Sequence, residues 1–127
     1  YVNELFGEEG LVIIDPDDKG LKSLFKREIA SDVLAHEPQK LAVKNTDQLE
    51  KLGYKSQVFP REINFFYMKG DIRERIEKQE GKFRVLNTDI SFTEVEMQTL
   101  IADETEVFSP NVILRPLFQE TILPNLA

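Results

Sequence analysis

The sequence has no cysteine, one histidine, and no apolar run of the roughly 18 residues that a membrane-crossing helix needs. The missing cysteine excludes disulfides and thiolate chemistry within the chain, and a reducing cytoplasm fits its absence. A lone His36 excludes a histidine triad or a multi-histidine metal centre built from these residues. It follows a predicted helix end, where an imidazolium interacts favourably with the helix dipole, so a structural role is expected. Cations are also in the minority: 16 Lys and Arg stand against 23 Asp and Glu, a net charge of −7. That balance argues against sequence-independent nucleic-acid binding, which depends on clustered cations neutralising phosphates. The densest basic stretch, Arg73, Arg75, Lys78, Lys82 and Arg84, is broken by Glu74, Glu77 and Glu80 and reads as a solvated face. No Gly-rich turn of the G-x-G-x-x-G or P-loop kind opens a helix, since Gly20 stands alone. Asp15, Asp17 and Asp18 miss the spacing of a hard-cation loop; turn and cap duty is expected of them, and no metal ligand is assigned.

What is present begins with the apolar run 11–14, which predicts a strand covered on both faces in a parallel or mixed sheet. Leu21, Leu24, Phe25, Ile29 and Val33 recur at helical spacing and predict a helix over 18–35. A brief strand near 41–44 and a short helix over 47–52, stopped by Gly53, are expected next. The pattern then changes. Segments 56–59, 63–68, 72–78 and 82–86 are short, β-rich and separated by Pro60, Gly70 and Gly81, which reads as an antiparallel meander. Ile72 and Ile76 suit either a helix or one face of a strand. Ser91 with Glu94 predicts a capping box opening a helix to about 102. The expected fold class is α/β: a strand-helix segment over 1–55, a small α+β insertion over 56–106, and a return to the first unit over 107–127. The chain opens without Met on what reads as the tail of an amphipathic helix, and it stops on apolar Leu126 and Ala127. Both ends carry the pattern of a segment from within a longer protein.

The last twenty residues, 108–127, are the richest in candidate chemistry. Asn111, Arg115, Gln119 and Glu120 are threaded through an apolar stretch punctuated by Pro110, Pro116 and Pro124. Proline inside a helix costs about 3 kcal/mol, so these prolines delimit short pieces. Ser109-Pro110 reads as a cap with a first-turn proline, and a final helix over 116–123 starts at Pro116. Arg115 presents a planar fork suited to bidentate capture of a carboxylate or phosphate; its rival reading is an internal pair with Glu120. Asn111 either caps backbone groups or touches a ligand. Gln119 and Glu120 sit one turn into the helix, within reach of a ligand at the sheet edge. Phe65, Phe66 and Tyr67 are read as packing residues.

This tail resembles the central block of the cysteine-adding enzymes of bacillithiol biosynthesis. Residues 5–18, Leu52-Gly53-Tyr54 with Gln57-Val58, and the run from Arg61 to Tyr67 are similar, in order, to other blocks of that family. The resemblance implies a cytoplasmic ligase joining L-cysteine to glucosaminyl-malate. It also implies a Rossmann-like core with a connecting insertion, a coiled coil supporting a homodimer, and room for a nucleotide in the parent enzyme. Asn111, Arg115, Gln119 and Glu120 would be substrate-binding residues, with no catalytic step assigned to any of them. The family's earlier His-containing half, a Gly-rich stretch ending in Glu, and the coiled coil lie outside these residues, so the polypeptide alone is expected to be inactive. The competing expectation is a non-catalytic interaction or regulatory module that uses the β-rich segment 56–90 as its contact surface.

Overall fold

Alternation of buried and exposed side chains from 65 to 85 builds the sheet around which the chain is organised. A computed structural model describes residues 1–123; Pro124, expected to delimit the last helix, lies outside them. Strand β1 (Phe65–Lys69) buries Phe65 and Tyr67 and pairs antiparallel with β2 (Ile72–Gln79). β2 pairs with β3 (Lys82–Val85), and β3 with the two-residue β4 (Ser91–Phe92). Tight two-residue links need positive φ, supplied by Gly70 at 60° in one hairpin and by Glu80 and Gly81 at 51° and 76° in the other. β5 (Phe108–Pro110) adds to the free side of β1, so the order is β4-β3-β2-β1-β5. The meander is therefore present, beginning at residue 65, and the ambiguous middle segment is a strand.

Helices cover one face of this sheet. They are α2 (Lys19–Ser23), α3 (Lys26–Val33), α5 (Glu94–Asp103) and α6 (Arg115–Ile122). The core runs through Phe25, Ile29 and Val33 of the α3 region, Phe65 and Tyr67, Ile76, Phe83 and Val85, then Met97, Phe108 and Phe118. Phe25 ties it together, meeting Phe118 edge-on at 5.0 Å and Phe65 at 6.0 Å between ring centroids. Lys22, almost wholly buried, donates to the Glu106 carbonyl at 2.9 Å and pairs with Asp17 at 2.9 Å, and Lys26 reaches the Ala102 carbonyl. These contacts fasten α3 to the end of α5 and α2 to the 3-10 turn (Thr105–Val107) that follows it.

Several expectations change. Residues 11–14 form no strand: Leu11, Val12, Ile13 and Ile14 are exposed. A strand buried on both faces needs a packed layer above and below it, as in a parallel or mixed sheet, and among the described residues every strand pair is antiparallel and lies within the one sheet. The single helix over 18–35 is two, α2 and α3, because Leu24 and Phe25 donate three residues back instead of four, which swings Phe25 inward. Asp18 does cap α2, accepting from the Leu21 N–H at 2.9 Å. The brief strand and short helix at 41–52 are one helix, α4 (Glu37–Lys51), opened by Pro38 in its first turn. Its strong helix formers outweigh the three-residue apolar run. Like α1 (Val2–Phe6), it has no buried residue. Segment 56–59 is not a strand. The capping box is shifted by two: Thr93 and Glu96 form it, while Ser91 is taken up in β4 opposite Arg84. Ser109-Pro110 lies in β5 instead of starting a helical turn, and an edge strand tolerates a residue without an N–H.

Candidate functional site

A buried polar relay ties α3 to the two chain segments that precede β1 and follow β5. Asp32 on α3 is fully buried and accepts from the Asn64 backbone N–H at 2.5 Å and from Asn64 Nδ2 at 2.9 Å. Asn64 stands just before β1. Its Nδ2 also donates to the Arg61 carbonyl at 2.8 Å, and its Oδ1 accepts from the Arg61 N–H at 3.2 Å and from Asn111 Nδ2 at 3.0 Å. Asn111 stands just after β5. Its Oδ1 accepts from the N–H groups of Ile113 and Leu114 at 2.9 and 3.3 Å, and its carbonyl accepts from the Arg115 N–H at 2.9 Å. His36, in left-handed backbone geometry with φ 55°, donates from Nδ1 to the Glu62 carbonyl at 2.9 Å. Burial pushes the Asp32 carboxyl up to about 6, although the two hydrogen bonds from Asn64 pull the other way. Arg61 and Arg115 are thus anchored by backbone and amide contacts, and among the described residues their guanidinium groups form no ion pair.

Those groups converge on the outer face of the sheet. In β2, Arg73 lies opposite Met68 and Arg75 opposite Phe66, so both arginines point away from the core that holds Phe65 and Tyr67. The Arg73 guanidinium lies 4.2 Å from the Phe66 ring centroid, a cation-π contact that holds it flat against the sheet. An open concavity of about 530 Å³ there is lined by Arg61, Arg73, Arg75, Asn111 and Arg115, with Phe66 among its apolar lining. A second, of about 690 Å³, lies on the other side of Arg73 and Arg115 and is lined by Asp17, Phe118 and Gln119 among others.

The predicted residues separate across this surface. Asn111 and Arg115 line the first concavity, Arg115 and Gln119 the second, and Glu120 neither. Asn111 performs the capping role in full while its side chain also borders the cavity. Among the described residues Arg115 is in no salt bridge. Arg73 and Arg75 were read from the sequence as part of a solvated face, and Arg61, Asp32 and Asn64 were not named as site residues. The available signal for Arg73 and Arg75 was their i, i+2 spacing, which on a strand places both on one face and Glu74 on the other. Among the described residues, no group of three His, Cys, Asp or Glu side chains is placed to hold a metal ion, and no helix is long and apolar enough to cross a membrane.

Comparison with known proteins shows the family to which the chain is similar. A family model described as the bacillithiol biosynthesis BshC N-terminal Rossmann-like domain matches residues 1–127. A protein of Cytophaga hutchinsonii, named "Putative cysteine ligase BshC", is 47% identical over 127 residues, covering 99% of this chain and 24% of the relative. Proteins of the same name from Flavobacterium psychrophilum and Bacillus licheniformis are 48% and 33% identical, over 98% and 99% of this chain and 23% and 24% of their own lengths. The chain thus spans about a quarter of the length of these relatives.

Proposed function

The chain belongs to the BshC N-terminal Rossmann-like domain family of bacillithiol biosynthesis, and from that premise we propose that it forms the substrate-binding face of a cysteine ligase. In this reading the full-length enzyme joins L-cysteine to glucosaminyl-malate, working in the cytoplasm. Asn111, Arg115, Gln119 and Glu120 are the substrate-binding residues this chain contributes, and the 127 residues alone are inactive. Arg115 is assigned the carboxylate of the acceptor, because a guanidinium fork binds a planar carboxylate through two parallel hydrogen bonds. Gln119, one turn along α6 on the wall of the second concavity, supplies a neutral donor and acceptor to the same molecule.

The observation that carries the reading is the placement of Arg115. It opens α6 on a turn that Asn111 holds, borders both concavities, and makes no ion pair among the described residues. Arg115→Ala in the full-length enzyme is expected to cut bacillithiol formation by about 10- to 100-fold, the loss that goes with one bidentate charged contact. Arg115→Lys should recover part of this, since it keeps the charge and loses the fork. Thiol quantification in cells, alongside a circular dichroism spectrum matching wild type, is the check. Wild-type thiol levels in Arg115→Ala would refute the assignment.

A further inference from the structure

Four of the chain's six arginines frame a single concavity in a protein whose net charge is −7. The other two, Arg27 and Arg84, lie elsewhere, and among the described residues no Lys, Asp or Glu lines this cavity. We propose that this concavity binds a small ligand bearing two or more oxyanion charges, a dicarboxylate or a phosphate ester, and that Arg73 and Arg75 of β2 are binding residues beside Arg115. The proposal rests on the reading of Arg115 as a ligand-binding residue and extends it to the neighbouring sheet face.

Three observations converge on a ligand. The first is the pairing pattern. Lys19, Lys22, Lys69 and Lys78 all hold acidic partners, whereas Arg61, Arg73, Arg75 and Arg115 form no ion pair among the described residues. Arg61 and Arg75 also border a smaller concavity with Glu62 and Glu77, and neither arginine pairs with either carboxylate. The second is preorganisation. Asn64 is bonded to the Arg61 backbone, Asn111 to the Arg115 N–H, and Phe66 lies beneath Arg73. Holding cations close together without counter-charges has an electrostatic cost that an anion removes. The third is spacing. Residues two apart on a strand repeat every roughly 6–7 Å, so Arg73 and Arg75 present two forks at a separation that suits two charged groups on one small molecule better than a single carboxylate.

Binding of succinate, inorganic phosphate and acetate to the full-length protein, at constant ionic strength and without cysteine, tests this. Wild type is expected to bind succinate or phosphate at least about tenfold more tightly than acetate. The Arg73→Gln/Arg75→Gln double variant should lose that margin, while Arg27→Gln and Arg84→Gln, which remove the same charge outside the cavity, should keep it. Arg73→Lys/Arg75→Lys, with charge retained and forks removed, should fall between, which separates recognition from a folding defect. Succinate ahead of phosphate assigns a dicarboxylate, and the reverse a phosphate ester. Wild type that binds all three anions alike or none, a Gln/Gln variant that keeps the margin, or an Arg27→Gln variant that loses it, would overturn the proposal. These binding outcomes do not depend on product formation, so they can fail while Arg115→Ala still cuts thiol synthesis, or hold while it does not.

Discussion

Asn64→Ala is expected to destabilise the folded chain by roughly 3–5 kcal/mol. The side chain is 1% exposed and takes part in four hydrogen bonds, to Asp32, to both backbone groups of Arg61, and to Asn111. Each such bond contributes about 1 kcal/mol net, and partners stranded in the interior cost more than that. The Asp32 carboxylate would be left buried with a single donor, the backbone N–H of residue 64. The loss should also depend on pH in a defined direction. Asp32 is held at about 6, above its ordinary 3.8. Its proton therefore favours the folded state, a contribution fully present below about pH 3.8 and lost as pH rises through about 6. Removing the Asn64 amide withdraws a donor that favours the charged form, so the carboxyl moves higher still. The penalty of Asn64→Ala should accordingly be larger at pH 7.5 than at pH 5. Urea unfolding of wild type and variant at the two pH values measures it; an equal penalty at both would show that Asp32 is not the group involved.

Phe25→Ala should cost about 3–5 kcal/mol, the usual range for deleting a fully enclosed aromatic ring. Phe25 is 1% exposed and is the ring through which α6 and β1 both reach the α3 layer, at 5.0 Å to Phe118 and 6.0 Å to Phe65. Its neighbour Leu24 is 61% exposed, so Leu24→Ala should stay within about 0.5 kcal/mol of wild type. Native-state hydrogen exchange in the full-length protein can read both at the β1 amides. Protection lost in Phe25→Ala and kept in Leu24→Ala is the expected pair of results. Equal protection in both would mean that the core closes without Phe25.

Where sequence and structure agree, the determinants are local. Aromatic and β-branched residues around Tyr67, Ile76 and Val85, with Gly70 and Gly81 in the two links, specify hairpins without reference to the rest of the chain. Leu41 and Val43 misled because a three-residue apolar run carries no period, and the surrounding helix formers decided the outcome. Ser91-x-x-Glu94 and Thr93-x-x-Glu96 are equally good capping sequences; only the pairing of Ser91 with Arg84 selects between them. At the site, Arg115 stood out by its setting among prolines and Asn111 by its type. Arg73 and Arg75 looked diluted by Glu74 and Glu77. On a strand Glu74 turns to the opposite face, and Glu77 borders the neighbouring hollow. The link from Asp32 to Asn64 spans 32 residues and had no signal in the linear pattern.

The sheet ends at β4, two residues long, on one side and at β5, three residues closing on Pro110, on the other. Neither margin offers the long row of unsatisfied amides that templates intermolecular strand addition. Even when weakened, this meander should resist growing into fibrils through its margins, and any clumping of the isolated polypeptide would start from the bare aliphatic run at 11–14.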